Sequence, residues 1–349
     1  MQSKVLLCME LPPPMHGMTY INKIIYDNLK GEEGYYFYDT NFTLDVNEVG
    51  SLSLNKVMKN IGIILGAWRK FFQIKPIVAY SLLSASNFGI IRDFMINLPF
   101  IVTNKKLVLH LHGFTYYKIY NISKLYKFLF DIMSKNAILI VLCEKQKYKT
   151  MEVMSKKSVV LYNCLREGLQ PKDRIQNGTL KICYISNISK DKGVFNLIEA
   201  VKRYSGKIEL VIAGNFLSNK EEFLELISKS GNIKYLGFAD EKMKDDIFQS
   251  SDIFCLPSKL EEGSPISIIE AMSHGLPVIA SDKGCIKDMI ENAGCLLPDN
   301  YTSVDILDGM TYIKDNYDKL SENSFNKYQM YFSQRSFIKN FKKILKNKL

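Results

Sequence analysis

The sequence lacks several features that define other classes of protein. No hydrophobic run approaches the ~20 residues needed to span a bilayer. The apolar stretch from Val5 to Met9 is interrupted by Glu10 and Pro12 before it reaches the length of a secretory signal. The seven cysteines include no C-x-x-C pair, which disfavours a zinc knuckle. We therefore expect a cytoplasmic protein.

The composition is that of an ordinary globular protein, but the charge is unevenly distributed. Hydrophobic residues make up 47% of the 349 residues and charged residues 23%, which excludes a disordered or fibrous chain, and the length favours two domains. Residues 1–165 carry a net charge of +9 and residues 166–349 only +1, although 335–349 hold six basic residues and no acid. An anionic partner is therefore expected at the first half and the tail.

Short apolar runs alternate with segments of helical period, which predicts βαβ units and parallel sheets. Each half is predicted to build its own doubly wound sheet. A polar stretch from Asn163 to Thr179 separates the halves and is the predicted linker. Cys8, Cys183 and Cys255 lie inside apolar runs and are predicted core residues. The predicted strands are Lys4–Met9, Ile77–Ser81, Leu107–Leu111, Ile138–Leu142, Leu180–Ile185, Ile208–Ala213, Asp252–Leu256 and Pro277–Ala280.

Two segments of the first half combine an apolar stripe with basic residues. One stripe consists of Val57, Ile61, Ile64, Trp68 and Phe72, and the other lies in a helix predicted over 116–136 that also carries three lysines. One interpretation is that these helices cover the sheet and that their lysines are solvated. The alternative is a basic amphipathic surface that lies on anionic lipid.

The segment 252–282 carries the strongest chemical signal. A strand runs into a glycine-containing loop, Ser264 is placed to cap a helix, and Pro265 suits its first turn. A helix N-terminus offers unpaired N–H groups and partial positive charge to a phosphate. Glu262 lies on the loop before the cap, whereas Glu270 lies more than a turn inside the helix. A carboxylate near a bound phosphate is unfavourable unless it accepts hydrogen bonds from hydroxyls. The pattern predicts a ligand that has both phosphate and many hydroxyl groups.

The run E-E-G-S-P-I-S-I-I-E-A-M-S-H-G-L-P-V-I-A-S, residues 261–281, resembles the E-x7-E signature of retaining, nucleotide-sugar-dependent glycosyltransferases of family 4. The resemblance implies the GT-B fold, an α/β architecture of two Rossmann-like doubly wound domains facing a central cleft. It implies an acceptor-binding domain over 1–165, a donor-binding domain over 166–332, and a basic C-terminal helix, 333–349, that returns to the first domain.

The resemblance also implies roles for individual residues. Glu270 would bind the ribose hydroxyls, and Glu262 would contact the transferred sugar. Four consecutive residues would present their backbone to the sugar and diphosphate: Gly263, Ser264, Pro265 and Ile266.

Two further loops of the second half resemble the same family. Residues 184–200 resemble the segment that contains G-R-x-x-x-x-K-G, so Lys192 would bind the diphosphate, while Asn187 replaces the usual arginine. Tyr235-Leu-Gly-Phe-Ala resembles the loop that meets the nucleobase through Gly237 and Phe238.

The first half resembles the family at scattered positions. Gly17, preceded by His16 where glycine is common, would let the backbone approach the donor phosphate. His112 matches the histidine that points at the donor sugar. His110 and His112 also form an H-x-H pair with no apparent third ligand, so a zinc site is the weaker alternative. His274 is predicted to cap the C-terminal end of the helix.

The implied function is retaining transfer of a hexose-type sugar from a UDP- or GDP-linked donor to a glycan or polyprenyl-diphosphate-linked acceptor. The absence of D-x-D is typical of a metal-independent enzyme, and no cofactor is expected. The basic face predicts a peripheral enzyme on the inner face of the plasma membrane, acting in bacterial surface polysaccharide or lipopolysaccharide biosynthesis. Two alternatives remain open, a sugar-nucleotide 2-epimerase of the same fold and a non-catalytic basic protein that binds nucleic acid or membrane. No nucleic-acid motif accompanies the charge.

Overall fold

The structure, a computed structural model, describes residues 4–15, 17–41, 54–165 and 178–346. The chain divides into two compact units. Unit 1 comprises Met1–Asn163 together with Phe337–Leu349, and unit 2 comprises Cys164–Ser336. Most of the predicted linker, residues 166–177, lies outside the described residues.

Unit 1 is built on a parallel sheet of six strands with helices between them. The strands are β1 (Val5–Met9), β2 (Tyr35–Asp39), β3 (Val78–Leu82), β4 (Lys106–His110), β5 (Ala137–Val141) and β6 (Ser158–Val160). The helices are α1 (Gly17–Leu29), α2 (Leu54–Ile74), α3 (Asn87–Val102), α4 (Thr115–Ile122), α5 (Lys124–Ser134) and α6 (Glu144–Met154). The strand order is β2-β1-β3-β4-β5-β6, so the chain reverses its direction across the sheet between β1 and β3.

Unit 2 repeats this architecture with a second parallel sheet. Its strands are β7 (Leu180–Ile185), β8 (Ile208–Ala213), β9 (Ile233–Tyr235), β10 (Ile253–Leu256), β11 (Val278–Ser281) and β12 (Gly294–Leu297). Its helices are α7 (Val194–Arg203), α8 (Lys220–Ser228), α9 (Glu241–Ser250), α10 (Ile266–Ser273), α11 (Ile286–Ile290), α12 (Ser303–Asp315) and α13 (Tyr317–Lys327). The order β12-β11-β10-β7-β8-β9 places the reversal between β7 and β10. Ligands of open α/β sheets bind outside the carboxyl ends of the strands at such a reversal.

All eight predicted strands are present, and their ends differ from the prediction by at most one residue. The four strands that were not predicted, β2, β6, β9 and β12, form the edges of the two sheets. Cys8, Cys183 and Cys255 are buried in the core, as predicted.

The segment predicted as one helix over 116–136 consists of two, α4 and α5. Ser123 separates them in an extended conformation, and its hydroxyl accepts a hydrogen bond from the Tyr126 N–H, which caps α5. The break arises because serine competes for backbone N–H groups and favours N-cap positions over helix interiors.

In α2, Ala67 and Phe71 face the core, whereas Ile61 and Phe72 of the predicted apolar stripe are exposed. The interpretation that this stripe covers the sheet therefore does not hold for these two residues. Val57 lies in a part of α2 whose side chains are not described. None of the described helices is both long enough and apolar enough to cross a membrane.

The last helix, α14 (Gln334–Leu345), follows a π-helical turn at Tyr328–Phe332, and most of it packs in unit 1. Phe341 is fully buried and meets the ring of Tyr80 edge to face, with centroids 4.9 Å apart. The Lys342 ammonium pairs with the Glu32 carboxylate at 2.6 Å. Helix α14 thus contributes to the core of unit 1.

Candidate functional site

The predicted donor residues of unit 2 lie on loops that follow the adjacent strands β7 and β10. Ile253 pairs with Ile182, and Phe254 with Cys183, so the carboxyl ends of the two strands are neighbours. Lys192 lies on the loop after β7, and Glu262 lies on the loop after β10. Both loops therefore leave the sheet at its reversal, where ligands of this kind of fold bind.

Glu262 is held by two partners on one oxygen. Its Oε1 accepts a hydrogen bond from the Ser258 hydroxyl at 2.6 Å and lies 2.6 Å from the Lys192 ammonium. The side chains of Lys192 and Glu262 are 16% and 14% exposed, so the pair is largely desolvated. Oε2 has no hydrogen-bond partner among the described residues and can accept a ligand hydroxyl. The structure thus brings together two of the residues predicted from the sequence.

Local backbone geometry brings the Lys192 loop against the Glu262 loop. Ser189 caps a single 3₁₀ turn, Lys190–Lys192, and Gly193 follows in the left-handed region with φ of 75°. A Cβ at Gly193 would lie 1.9 Å from the Pro257 carbonyl oxygen, so only glycine allows this approach. The Lys259 N–H also donates to the Asp191 carbonyl at 2.7 Å.

A second glycine, which the sequence analysis did not identify, supports Glu262 from the other side. Gly284 has φ of 64°, and a Cβ there would lie 1.8 Å from the Glu262 carbonyl oxygen. The same oxygen accepts a hydrogen bond from the Cys285 N–H at 3.0 Å. The available signal was the position of Gly284, just after β11 and just before a helix.

Glu270 lies in α10, more than a turn from its start, as predicted. The N-cap prediction was one residue too early, because Pro265 occupies that position and no side chain caps the helix. Proline fixes φ near the helical value but has no side-chain acceptor, so Pro265 makes no side-chain hydrogen bond to the N-terminal N–H groups of α10. Ser264 is buried, and its neighbours Gly263 and Ile266 are partly buried.

Glu270 has a lysine partner that the sequence analysis missed. The Lys244 ammonium lies 2.9 Å from Glu270 Oε1. His274 ends α10, as predicted, and its Nδ1 lies 2.9 Å from the Glu270 carbonyl oxygen. Lys244 lies in an ordinary charged helix, so no sequence pattern distinguished it.

The predicted nucleobase loop and Asn187 lie on neighbouring turns at the same edge of the sheet. The Gly214 N–H donates to the Gly237 carbonyl at 2.7 Å, and a Cβ at Gly214 would lie 1.9 Å from the Ser186 carbonyl oxygen. Gly214, also missed by the sequence analysis, therefore allows the two loops to approach each other. Phe238 is 68% exposed, and Asn187 is exposed.

In unit 1 the loop between β1 and α1 is held by side-chain hydrogen bonds. The Asn41 amide donates to the carbonyls of Leu11 and Pro13 at 2.8 and 2.6 Å, and the Thr19 hydroxyl donates to Pro14 at 2.9 Å. Gly17 is the first residue of α1, and a Cβ there would meet no atom of the described residues within 4 Å. His16 lies outside the described residues.

His110 and His112 lie side by side at the carboxyl end of β4. Their rings are 4.0 Å apart, and His112 Nε2 lies 3.2 Å from His110 Nδ1, which also contacts the Tyr80 hydroxyl at 2.8 Å. Burial lowers the pKa of His110 well below its ordinary value of 6.5, and the charge of His112 lowers it further. Within the part of the chain that the structure describes, no three His, Cys, Asp or Glu side chains form a metal-binding group.

Comparison with known proteins gives the site a family context. Residues 166–330 match the family model described as glycosyl transferases group 1. Most of unit 2 is therefore similar to a group 1 glycosyltransferase domain. The matched range contains the residues after β7 and β10 described above.

Similar proteins are themselves glycosyltransferases. The chain is 29% identical over 158 residues to the amylovoran biosynthesis glycosyltransferase AmsK of Erwinia amylovora, covering 39% of this chain and 38% of that protein. It is 35% identical over 104 residues to the N,N′-diacetylbacillosaminyl-diphospho-undecaprenol alpha-1,3-N-acetylgalactosaminyltransferase of Campylobacter jejuni, covering 29% of this chain and 26% of that protein. The matches thus span well under half of these relatives.

The fold likeness extends over the whole chain. The lipopolysaccharide outer core galactosyltransferase WaaB, in its apo form, superimposes with a TM-score of 0.71 at 16% identity, covering 99% of this chain and 100% of that chain. The predicted GT-B fold, with two Rossmann-like sheets, is confirmed.

Proposed function

We propose that this protein is a retaining, metal-independent glycosyltransferase of family 4. It moves a hexose-type sugar from a UDP- or GDP-linked donor to a glycan or polyprenyl-diphosphate-linked acceptor. The observation that carries the proposal is the Lys192–Glu262 pair beside a helix start that has no side-chain cap, at the reversal of the unit 2 sheet. A nucleotide sugar requires a cation and N–H groups for its diphosphate, and carboxylates that accept hydrogen bonds from its hydroxyls.

The proposed chemistry follows from where charge develops. As the bond from the anomeric carbon to the diphosphate oxygen breaks, negative charge grows on the leaving group, and Lys192 and the N-terminus of α10 stabilise it. The acceptor oxygen bonds to the anomeric carbon on the face that the diphosphate leaves, and the departing phosphate oxygen takes the acceptor proton. Glu262 Oε2 accepts a hydroxyl of the transferred sugar. No protein nucleophile is required.

The class of acceptor is supported by the relatives. AmsK is named for amylovoran biosynthesis, and the Campylobacter jejuni protein is named for a diphospho-undecaprenol acceptor. We propose the same class of acceptor for the present chain and a role in bacterial surface polysaccharide assembly.

The decisive experiment follows sugar transfer from a panel of UDP- and GDP-hexoses to a polyprenyl-diphosphate-linked sugar. We expect Glu262→Gln to reduce kcat by about a hundredfold or more, because it removes the partner of Lys192 and an acceptor for the sugar. Glu261→Gln, the exposed neighbour, is the control and should match the wild type. NMR of the product should show the anomeric configuration of the donor.

Two results would contradict this proposal. Equal kcat values for Glu262→Gln and the wild type would remove the role of the site. Conversion of the donor sugar without any acceptor would instead favour the sugar-nucleotide 2-epimerase.

We also propose that unit 1 associates peripherally with the inner face of the plasma membrane. The outer face of α2 exposes apolar side chains, among them Leu65 at 58% and Phe72 at 64%. Lys59, Arg69 and Lys70 are also exposed, and α2 contains no acidic residue. Exposed apolar groups with basic neighbours match the interface of an anionic bilayer, which takes up both.

Vesicle co-sedimentation tests this association. The double variant Leu65→Glu with Phe72→Glu should lose binding to anionic vesicles, because it places acids among the inserted groups. Val304→Glu, at an exposed position of α12, is the matched control and should bind like the wild type. Equal binding of the wild type to neutral and anionic vesicles would contradict the proposal.

A further inference from the structure

Helix α9 contacts α10 through two consecutive charged residues. The Lys244 ammonium lies 2.9 Å from Glu270 Oε1, and Asp245 Oδ1 lies 3.6 Å from Nε2 of His274 at the end of α10. Lys244 is 30% exposed and Glu270 15%, so the ion pair is partly removed from water. The contacts join one face of α9 to the last turn of α10.

The position of α9 along the chain connects two parts of the proposed donor site. Asp240 caps the helix by accepting a hydrogen bond from the Met243 N–H at 2.8 Å. The loop that contains Gly237 and Phe238 ends at that cap. Lys244 therefore lies one turn after the proposed nucleobase loop and contacts the glutamate proposed to bind ribose.

Both proposed donor glutamates share one arrangement. Lys192 holds Glu262 through Oε1, and Lys244 holds Glu270 through Oε1. For each glutamate, Oε2 has no partner among the described residues. A lysine on one oxygen orients the carboxylate, while the other oxygen can still accept hydroxyls.

We propose that Lys244 is a positioning residue of the donor site, which holds Glu270 in the orientation that accepts the ribose hydroxyls of the nucleotide. The inference rests on the proposed function, since it requires that unit 2 bind a nucleotide sugar. It predicts a role in nucleotide affinity and none in the bond-breaking step.

Calorimetric titration of the full chain with UDP and GDP, and with their 2′,3′-dideoxy analogues, tests this role. Lys244→Met should weaken binding of whichever ribonucleotide the wild type binds by about tenfold. This is the size of effect expected when one charge-assisted hydrogen bond no longer orients Glu270. The dideoxy analogue should bind the variant and the wild type alike, because it has no hydroxyls for Glu270. Transfer assays should show a raised KM and an unchanged kcat.

Two companion variants separate positioning from general structure. Lys244→Arg keeps the charge and should restore most of the affinity. Lys23→Met breaks an ion pair of similar exposure, Lys23–Asp27 at 2.6 Å in α1, and should bind nucleotide like the wild type.

The outcomes distinguish this inference from the proposed function. A wild type that binds neither nucleotide overturns the proposed function and this inference with it. A wild type that binds, with Lys244→Met binding equally well, overturns the inference alone. Equal weakening for the ribo and dideoxy forms would also overturn it, because Lys244 would then act on the diphosphate and not through Glu270.

Discussion

Glu262 and Glu270 show which part of the site a single residue pattern can predict. Their spacing and neighbours indicated that both were functional, and the structure places each beside a lysine. Lys192 could be identified because it lies in a family-like segment. Lys244 could not, because the contact joins two helices that no local pattern relates.

His110 should make the stability of unit 1 depend on pH. Its folded pKa lies well below the ordinary value of 6.5, so the unfolded chain binds more protons once the pH falls below 6.5. The free energy of unfolding should therefore fall with decreasing pH, by up to about 1.4 kcal/mol per pH unit for one proton. His110→Gln should show a smaller slope between pH 7 and pH 5.5.

The measurement is urea unfolding followed by tryptophan fluorescence. Trp68, the only tryptophan of the chain, lies in α2 of unit 1, where its indole N–H donates to the Met95 carbonyl at 2.7 Å. The slope is compared and not the absolute stability, since the substitution itself changes packing. An identical slope in the variant would show that His110 is not the group responsible.

At the scale of elements, burial explains which strands the sequence predicted. The central strands are mainly apolar. β1, β10 and β11 are buried along their whole length, and β7 is buried except at Lys181. The edge strand β2 is only partly buried, and β6 and β9 have three residues each. Edge strands need less apolar sequence because one side has no partner strand, so their signal is weaker.

Gly284 gives a prediction about the loop that supports Glu262. Gly284→Ala should destabilise unit 2 by about 1–3 kcal/mol and reduce sugar transfer, because the new Cβ overlaps the Glu262 backbone at a left-handed φ. Gly231→Ala is the control, since a Cβ there would meet nothing within 4 Å. Thermal unfolding followed by circular dichroism compares the stabilities of the two variants. A Gly284→Ala protein as stable as Gly231→Ala would show that the loop relaxes without cost.

At the scale of the whole molecule, the chain returns to its first unit at α14. Phe341→Ala should destabilise unit 1 by about 3–5 kcal/mol, because it removes a fully buried ring that packs on Tyr80. Lys342→Ala should cost about 1 kcal/mol or less, because its pair with Glu32 is 31% and 37% exposed. Trp68 fluorescence during urea unfolding reports both changes. Equal effects of the two substitutions would contradict this ranking.

The sequence by itself determined the eight inner strands, the fold class and the helix that starts beside Ser264, and it predicted roles for Glu262 and Glu270. These features depend on local periodicity and on one continuous motif, which neighbouring residues specify together. Only the tertiary structure decided that Lys244 meets Glu270, that Gly284 lies against Glu262, and that α2 exposes Phe72. Those contacts join segments that are distant along the chain or depend on which helix face the sheet covers, and neither is encoded in local spacing.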